Sequence, residues 1–390
     1  MTPVKRGIFL AVLTALVAVV LVAWLTSTGA GDGASGAIVA ARAQPVDGGC
    51  SVVRRSLASL LDAVDTAAEG SVICLADGSY GRLEIPGAGA SPPAVTVRAV
   101  HPGRATLAGA DLGRSKLTLA RFVVTDEIAV EPGTVGVTVS HNRVTGGYLG
   151  VDAGPTTTTT VNDVAIVGNK FVGPFGEDAI RLNRYHDANG DGVGALVADN
   201  EFTNIRENGN HSDCLQTVWV GDHLVYRGNY LHDNRCQGFF VKDQERAVVG
   251  IVIEDNLIVR NEAPCAPDAQ GCGAPSDFQV FGPYTGLRMR RNTIWGNGAI
   301  AAFQEADGTR ARIEANVVYK FWTSSDLSAA RFRDNTRCQR QSSEGGSWPV
   351  RVTGEVVSCS PHFLAPRLDD YRVRGGRGVD WAPRERHFGP

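Results

Sequence analysis

The sequence is poor in charge. Only 20% of its 390 residues are Asp, Glu, Lys or Arg, and they leave a formal net charge of -3. Nucleic-acid binding needs a concentrated basic surface, so nucleic acid is not an expected partner. No two of the eight cysteines stand in CxxC spacing, which weighs against the competing reading of a zinc site. Nor does any segment of the repeat region described below keep apolar residues at i, i+3, i+4 and i+7 over two turns, which excludes a helical solenoid. What the chain has instead is 43% hydrophobic residues and 46 glycines, enough to bury a large core while turning often.

Lys5 and Arg6 precede an apolar run from Ile8 to Leu25 that only Thr14 interrupts. Such a run directs export. It is either a cleaved signal peptide, with Thr28-Gly-Ala30 as a small-x-small cleavage site, or an uncleaved membrane anchor. The expected organisation is a signal peptide or anchor over 1–30, a flexible Ala/Gly-rich spacer over 31–49 and one folded domain over 50–390. The protein is accordingly expected to be secreted or held at the outer membrane surface, to touch a membrane only through that anchor, and to act as a monomer. An even number of cysteines in an exported chain implies disulfides.

The organising feature is a weak repeat of two alternating apolar residues with an asparagine three positions after the second. It reads Val137-x-Val139-x-x-Asn142, Val164-x-Ile166-x-x-Asn169, Ala195-x-Val197-x-x-Asn200, Ile251-x-Ile253-x-x-Asn256, Leu287-x-Met289-x-x-Asn292 and Ala311-x-Ile313-x-x-Asn316, with Leu224-x-Tyr226-x-x-Asn229 a looser copy. Successive asparagines lie 27, 31, 29, 27, 36 and 24 residues apart. Period-two alternation is a strand with one buried face, and a period of this length is one coil of a solenoid. The fold class expected is therefore all-β, a right-handed parallel β-helix. Asparagine, which tolerates left-handed backbone, would turn each corner, and coils stacked at about 4.8 Å would align the amides as a ladder. Leu57, Leu60, Leu61 and Val64, ending at Gly70, form a helical stripe expected to cap the N-terminal end. Cysteines one coil apart can approach within a Cα separation of about 6 Å. The pairs expected are Cys50 with Cys74, Cys214 with Cys236, Cys265 with Cys272, and Cys338 with Cys359.

The opening Val72-Ile-Cys-Leu-Ala-Asp-Gly-Ser-Tyr80, followed by Ala94-Val-Thr-Val-Arg-Ala-Val-His-Pro-Gly103, resembles that of right-handed β-helix polysaccharide lyases, most of all the chondroitinase B and alginate lyase family. The tail segments Pro361-His-Phe-Leu and Asp370-Tyr-Arg-Val resemble the usual end of such helices. The likeness in pattern spans roughly residues 50 to 380 and marks mainly the fold, which does not by itself fix chemistry.

A second strand precedes each repeat: Asp178-Ala-Ile-Arg-Leu-Asn183, Asp213-Cys-Leu-Gln-Thr-Val218, Gln237-Gly-Phe-Phe-Val-Lys242 and Ser276-Asp-Phe-Gln-Val-Phe281. Alternation turns Arg181, Gln216, Phe240 and Gln279 outward in one row, with Asn183, Val218, Lys242 and Phe281 in the next. A strip of amides, rings and cations suits a sugar chain, while the plain alternative is a solvated sheet face. Four histidines, His186, His211, His223 and His232, fall in the same coils, and His211 stands just before Asp213 at the rim of the strip. Asp187-Ala-Asn-Gly-Asp-Gly192 has the start of a calcium loop, with Asp187, Asn189 and Asp191 as ligands, but its twelfth position is Ala198. It is either a weak calcium site or an acidic turn.

Elimination from a uronate sugar needs the carboxylate neutralised, the C5 proton removed and the leaving oxygen protonated. Arg181 or calcium fits the first task, and Lys242 or His211 the second. Asp178, Gln216, Phe240 and Gln279 would contact substrate, with Asp213 near the chemistry. Gly176-Glu-Asp-Ala-Ile-Arg-Leu182 and Gln237-Gly-Phe-Phe-Val-Lys-Asp243 are similar to coils of the same lyase family, in which the second carries a catalytic arginine at or near Lys242. The coil between, where the family has its catalytic lysine, reads Val218-Trp-Val-Gly-Asp222 and holds no base. Elimination or C5 epimerisation of an acidic polysaccharide is thus one reading. Glycoside hydrolysis by two of Glu177, Asp178, Asp213 and Asp277 is a second, although the paired aspartates expected of polygalacturonases occur only at Asp369-Asp370. A non-catalytic polysaccharide-binding surface protein is the third.

Overall fold

The computed structural model describes residues 49–390 except 90, 153–158, 176–177, 207–211, 220, 243–247, 262–277, 283, 297–298, 305–310, 344–345, 350–351, 369, 374–375, 384–385, 387–388 and 390. They form a right-handed parallel β-helix. One face is a 13-stranded parallel sheet whose strands stack in sequence order from Val52–Arg54 to Val352–Thr353. The other two faces belong to one 19-stranded parallel sheet. Long strands such as Gly78–Ile85, Ala105–Leu112 and Val317–Thr323 run through both of these faces near the ends of the stack. In the middle coils each face has its own short strands. The second face carries Lys170–Val172, Glu201–Thr203, Tyr230–His232 and Leu257–Val259. The third carries Leu149–Asp152, Ile180–Asn183, Leu215–Thr217, Phe240–Lys242 and Phe278–Phe281.

The asparagine ladder is continuous. The Nδ2 of Asn142 donates to Oδ1 of Asn169 at 3.1 Å, and the same link joins Asn169 to Asn200, Asn229, Asn256, Asn292 and Asn316 in turn. A further bond of 3.0 Å reaches Asn335, which closes Ala330-x-Phe332-x-x-Asn335, a copy of the repeat that the sequence reading missed. Each Oδ1 also accepts the backbone N–H of the asparagine one coil earlier, as Asn229 does from Asn200 at 3.0 Å. The second hydrogen of each amide goes to a backbone carbonyl, Val197 in the case of Asn229. These side chains are at most 1% exposed, so the satisfied amides remove a penalty of about 1–3 kcal/mol for each polar group left unpaired.

The left-handed corner is not the asparagine. It is the residue before it: His141, Asp199, Asp255, Arg291, Ala315 and Asp334 have φ of 54 to 58°, and Gly168 and Gly228 fill the same place. This corrects the expectation drawn from asparagine's tolerance of that backbone. The preceding residue takes the bend and points outward, and the asparagine side chain turns inward to the ladder.

Alternation along the third face is as expected from the sequence. Ile180, Leu182, Leu215, Thr217, Phe239, Val241, Phe278 and Val280 are all buried. Phenylalanines stack between coils inside, Phe171 on Phe202 at 4.9 Å and Phe239 on Phe278 at 5.0 Å between centroids. Burial of such a side chain stabilises by roughly 1.5–3 kcal/mol.

Helix α1, Leu57–Asp65, is capped by Ser56, whose side chain accepts the N–H of Ser59. It buries Leu60, Ala63 and Val64 on the first coil. The first sheet begins before it, at Val52, rather than after it. Disulfides join Cys50 to Cys74, Cys214 to Cys236 and Cys338 to Cys359, with Cα separations of 5.7, 5.8 and 4.2 Å. Cys265 and Cys272 lie outside the described residues.

The C-terminal segment does more than end the stack. Phe363–Ala365 and Asp370–Val373 pair antiparallel, and the chain then runs back along the second face. Gly378 donates to Ala315, Val379 to Thr293 Oγ1, the Trp381 indole to Asp255 and Gly389 to Gly168, in reverse coil order. Gly378, at φ +68°, lies so close to Thr293 that a Cβ would come within 2.4 Å of its hydroxyl. Tyr371, Val379 and Trp381 thereby bury the outward apolar side chains Leu257 and Val259. Among the described residues no helix is long and apolar enough to cross a membrane, and the apolar run 8–25 lies outside them.

Candidate functional site

Backbone register on the third face pairs Gly150 with Arg181, Arg181 with Gln216, Gln216 with Phe240 and Phe240 with Gln279. The row read from the sequence is therefore continuous in register, although Gln279 within it is buried. It runs on through Ala302, Trp322 and Gln341, and in the other direction through Ala129 and Asp111 to Glu84. In the adjoining row Lys242 is paired with Phe281.

Arg181 is held from two sides. Its Nε donates to Asp178 Oδ2 at 3.0 Å, and its guanidinium lies 5.1 Å from the centre of the Tyr148 ring. Gly150 makes this possible, because a Cβ there would sit 2.8 Å from Tyr148 Cε2. Nothing in the repeat pattern pointed to Tyr148. The Nζ of Lys242 stands 5.5 Å from the Phe281 ring centre, and Phe281 in turn packs at a tilt on Phe240 at 5.5 Å. Arg181, Gln216, Phe240, Lys242 and Phe281 are all half-buried, so each presents part of its surface to solvent.

Three expected contact residues are buried instead. Asp178, Asp213 and Gln279 are 1, 0 and 2% exposed. Asp178 and Asp213 precede their strands, where period-two alternation does not yet apply, and both turn inward. Each then holds the outward residue three positions on: Asp178 accepts from Arg181, and Asp213 accepts from Gln216 Nε2 at 2.9 Å. Burial pushes the Asp178 carboxyl up to about 6, the charge of Asp213 adds to this, and the hydrogen bonds from the Asp213 N–H and Arg181 oppose it. His211, Glu177 and Asp277 fall outside the described residues.

The other three histidines are bound elsewhere. His186 meets Asp222 at 2.8 Å, and His223 lies 3.2 Å from Asp187. His232, on the second face, is held between Glu201 at 3.1 Å and Asp233 at 2.6 Å, and its ring stacks on Tyr230. Burial raises the Glu201 carboxyl, but hydrogen bonds from His232 and Lys170 outweigh it and leave the group below its ordinary range.

The loop Asp187 to Gly192 closes on itself. Asp187 accepts N–H groups of Asp191 and Gly192, Asn189 accepts from Asp191, and Asp191 accepts from Val193. Its oxygens are thus engaged by backbone. Among the described residues no group of three or more His, Cys, Asp or Glu is placed to hold a metal ion.

No known family profile matches the chain, and no curated protein sequence matches it. Solved structures similar to it include the catalytic unit of a thermostable GH87 alpha-1,3-glucanase from Streptomyces thermodiastaticus strain HF3-3, at TM-score 0.44 and 13% identity over 81% of this chain and 71% of that one. An alginate lyase in complex with G6 is similar at TM-score 0.46 and 13% identity, over 87% of this chain and 93% of that one. The A-module of a mannuronan C-5 epimerase from Azotobacter vinelandii is similar at TM-score 0.40 and 14% identity, over 78% and 96%. The chain spans 57% of the length of a further alginate lyase that it resembles at TM-score 0.41 and 12% identity.

Proposed function

We propose that this protein is an exported carbohydrate-active enzyme that holds an acidic, uronate-bearing polysaccharide along its third face and cleaves or epimerises it by C5 proton abstraction. The observation that carries this reading is the grouping of Arg181, Gln216, Phe240, Lys242 and Phe281 on adjacent coils of one row pair. Arg181 and Lys242 are two coils and one outward position apart, about 12 Å between backbones. Both side chains are long enough to reach a sugar lying between them.

Arg181, fixed by Asp178 and Tyr148, is aimed as a fork that pairs with a carboxylate through two parallel hydrogen bonds. That pairing withdraws charge and makes the C5 proton easier to remove. Lys242 takes the C5 proton and returns it to the glycosidic oxygen as the C4–O bond breaks, while the ring faces of Phe240 and Phe281 seat the sugar's apolar side. Hydrolysis is less well supported, since Asp178 and Asp213 face inward, with Asp178 accepting from Arg181 and from the Asp213 N–H, and Asp213 Oδ2 accepting from Gln216.

Incubating the purified chain with pectate, alginate and chondroitin tests the reading. Ultraviolet absorbance from an unsaturated product, or exchange of the C5 proton with solvent, is the expected result. Reducing ends without absorbance would point to a hydrolase. Binding without any product would leave a polysaccharide-binding protein.

A further inference from the structure

The third face changes character along its length, and Tyr148 marks the change. Its ring crosses the row at Gly150, where a Cβ would sit 2.8 Å from Cε2, and meets the Arg181 guanidinium at 5.1 Å. Glu127 stands on its other side. Ile128 pairs with Leu149, so Glu127 and Tyr148 are neighbours on successive coils, and Glu127 Oε1 lies 3.6 Å from the same Cβ position on Gly150. On the preceding coils Arg82 crosses Gly109, where a Cβ would fall 2.5 Å from its Nη1. That guanidinium meets Asp111 at 2.6 Å, Glu127 at 3.4 Å and Asp126 at 3.9 Å, so three carboxylates share one cation. Glu84, in register with Asp111, is exposed and adds a further acid.

Beyond Arg181 in the opposite direction the row offers Gln216 and Phe240, with Lys242 and Phe281 beside it, and reaches Trp322, which shares its strand with Lys320. Trp322 and Lys320 are both half-buried. From Arg181 to Trp322 is five coil steps, roughly 24 Å. Amides, rings and cations thus lie on one side of Tyr148 and carboxylates on the other. A chain with a carboxylate on every sugar is drawn to the first and repelled by the second.

We infer that Tyr148, together with Asp111, Asp126 and Glu127, is an end-stop that makes the protein act at the ends of uronate chains rather than within them. This rests on the reading of the strip as the uronate site. Tyr148 fills the place where a further sugar would lie, and the carboxylates behind it repel one that passes. The terminal sugar is then held at Arg181 while the rest of the chain runs toward Trp322. Elimination there breaks the C4–O bond of the held sugar and forms its C4=C5 double bond, and the C5 proton passes by way of Lys242 to the oxygen that stays on the departing chain. The rest of the chain is attached through that C4 oxygen, so the held sugar is the one at the reducing end, and it leaves as an unsaturated monosaccharide.

The test uses the full-length chain, with pectate, alginate and their oligosaccharides of graded length as probes. The parent should release unsaturated monosaccharide from the earliest time points while the polymer keeps its viscosity. Asp126→Asn with Glu127→Gln leaves the pair of Arg82 with Asp111 in place, and should yield intermediate oligosaccharides early and an early fall in viscosity. Binding is read separately by calorimetry in a Lys242→Ala background, where turnover is stopped. There the same double change should tighten binding of oligosaccharides longer than the strip by about fivefold and leave the shortest unaffected. Should the double variant lose its cooperative melt, Glu84→Gln at an exposed position should act in the same direction, by about twofold. Product formed with the same size pattern and the same affinities in all variants overturns the end-stop alone, as does internal cleavage by the parent from the start. A length-dependent gain in affinity without any product supports the end-stop and overturns the chemistry assigned to Lys242. If no uronate oligosaccharide binds, both are overturned.

Discussion

The backbone N–H of Asp213 donates to the carboxylate of Asp178 at 2.8 Å, so a buried acid on one coil fixes the start of the strand on the next. The same carboxylate holds Arg181. Asp178 thus links the stacking of two coils to the aim of the cation expected to meet substrate.

This arrangement gives stability a definite pH dependence. Burial, with Asp213 beside it, pushes the Asp178 carboxyl from 3.8 up to about 6, so between these values the folded chain keeps a proton that the unfolded chain has released. The contribution of this group therefore favours folding in acid and is lost as pH rises from about 4 through about 6. Asp178→Asn keeps an acceptor for Asp213 and should remove that slope, leaving the variant about 1 kcal/mol more stable than the parent at pH 7. Denaturant midpoints at pH 4, 5, 6 and 7 check this. A parallel shift at all four values would contradict it.

On the strip, Lys242→Ala should lower turnover about a hundredfold, the usual size of a lost proton-transfer group, with stability changed by no more than about 0.5 kcal/mol. Arg181→Ala should lower kcat/KM by a similar factor, and Arg181→Lys should restore only part of it because the fork is lost. If both residues can be replaced without effect on turnover or affinity, the chemistry lies elsewhere.

The ladder predicts a large local cost. Asn229→Ala leaves the backbone N–H and the amide of Asn200 without their acceptor in a fully buried setting. The expected loss is about 3 kcal/mol or more, against about 0.5 kcal/mol for an outward change such as Arg312→Ala. Hydrogen exchange should show lost protection at Asn200 and in the coils either side. Uniform protection would mean that the amides bond to something else.

Calcium should not matter to the turn at Asp187. Its carboxylate already accepts two backbone N–H groups. Melting in millimolar calcium and in chelator should coincide, and Asp187→Ala should lower both transitions equally, by about 1 kcal/mol. A calcium-dependent rise that disappears in the variant would show a metal site after all.

The fold was largely legible because the repeat is imposed by the interior. Any residue that replaces a ladder asparagine orphans its neighbours, so Asn142, Asn169 and Asn200 stand out even in one sequence. The corner residues do not stand out. His141, Arg291 and Ala315 share a backbone conformation but no side-chain chemistry. The direction of the candidate side chains was legible where alternation governs it, as at Arg181, Gln216 and Phe240, though not at Gln279, which is buried. Alternation failed at Asp178 and Asp213, which lie in the turn before the strand, and at Tyr148, whose ring crosses Gly150 for reasons visible only in three dimensions.

The returning C-terminal segment bears on how the chain is made. Coils can stack one by one as they leave the ribosome, each on the last. Leu257 and Val259, however, receive their cover from Tyr371, Val379 and Trp381, which are synthesised more than a hundred residues later. Until those residues emerge, an apolar patch on the second face stays wet in an otherwise assembled solenoid. That patch is a surface on which chaperones can hold the chain until residues 371–381 emerge and cover it.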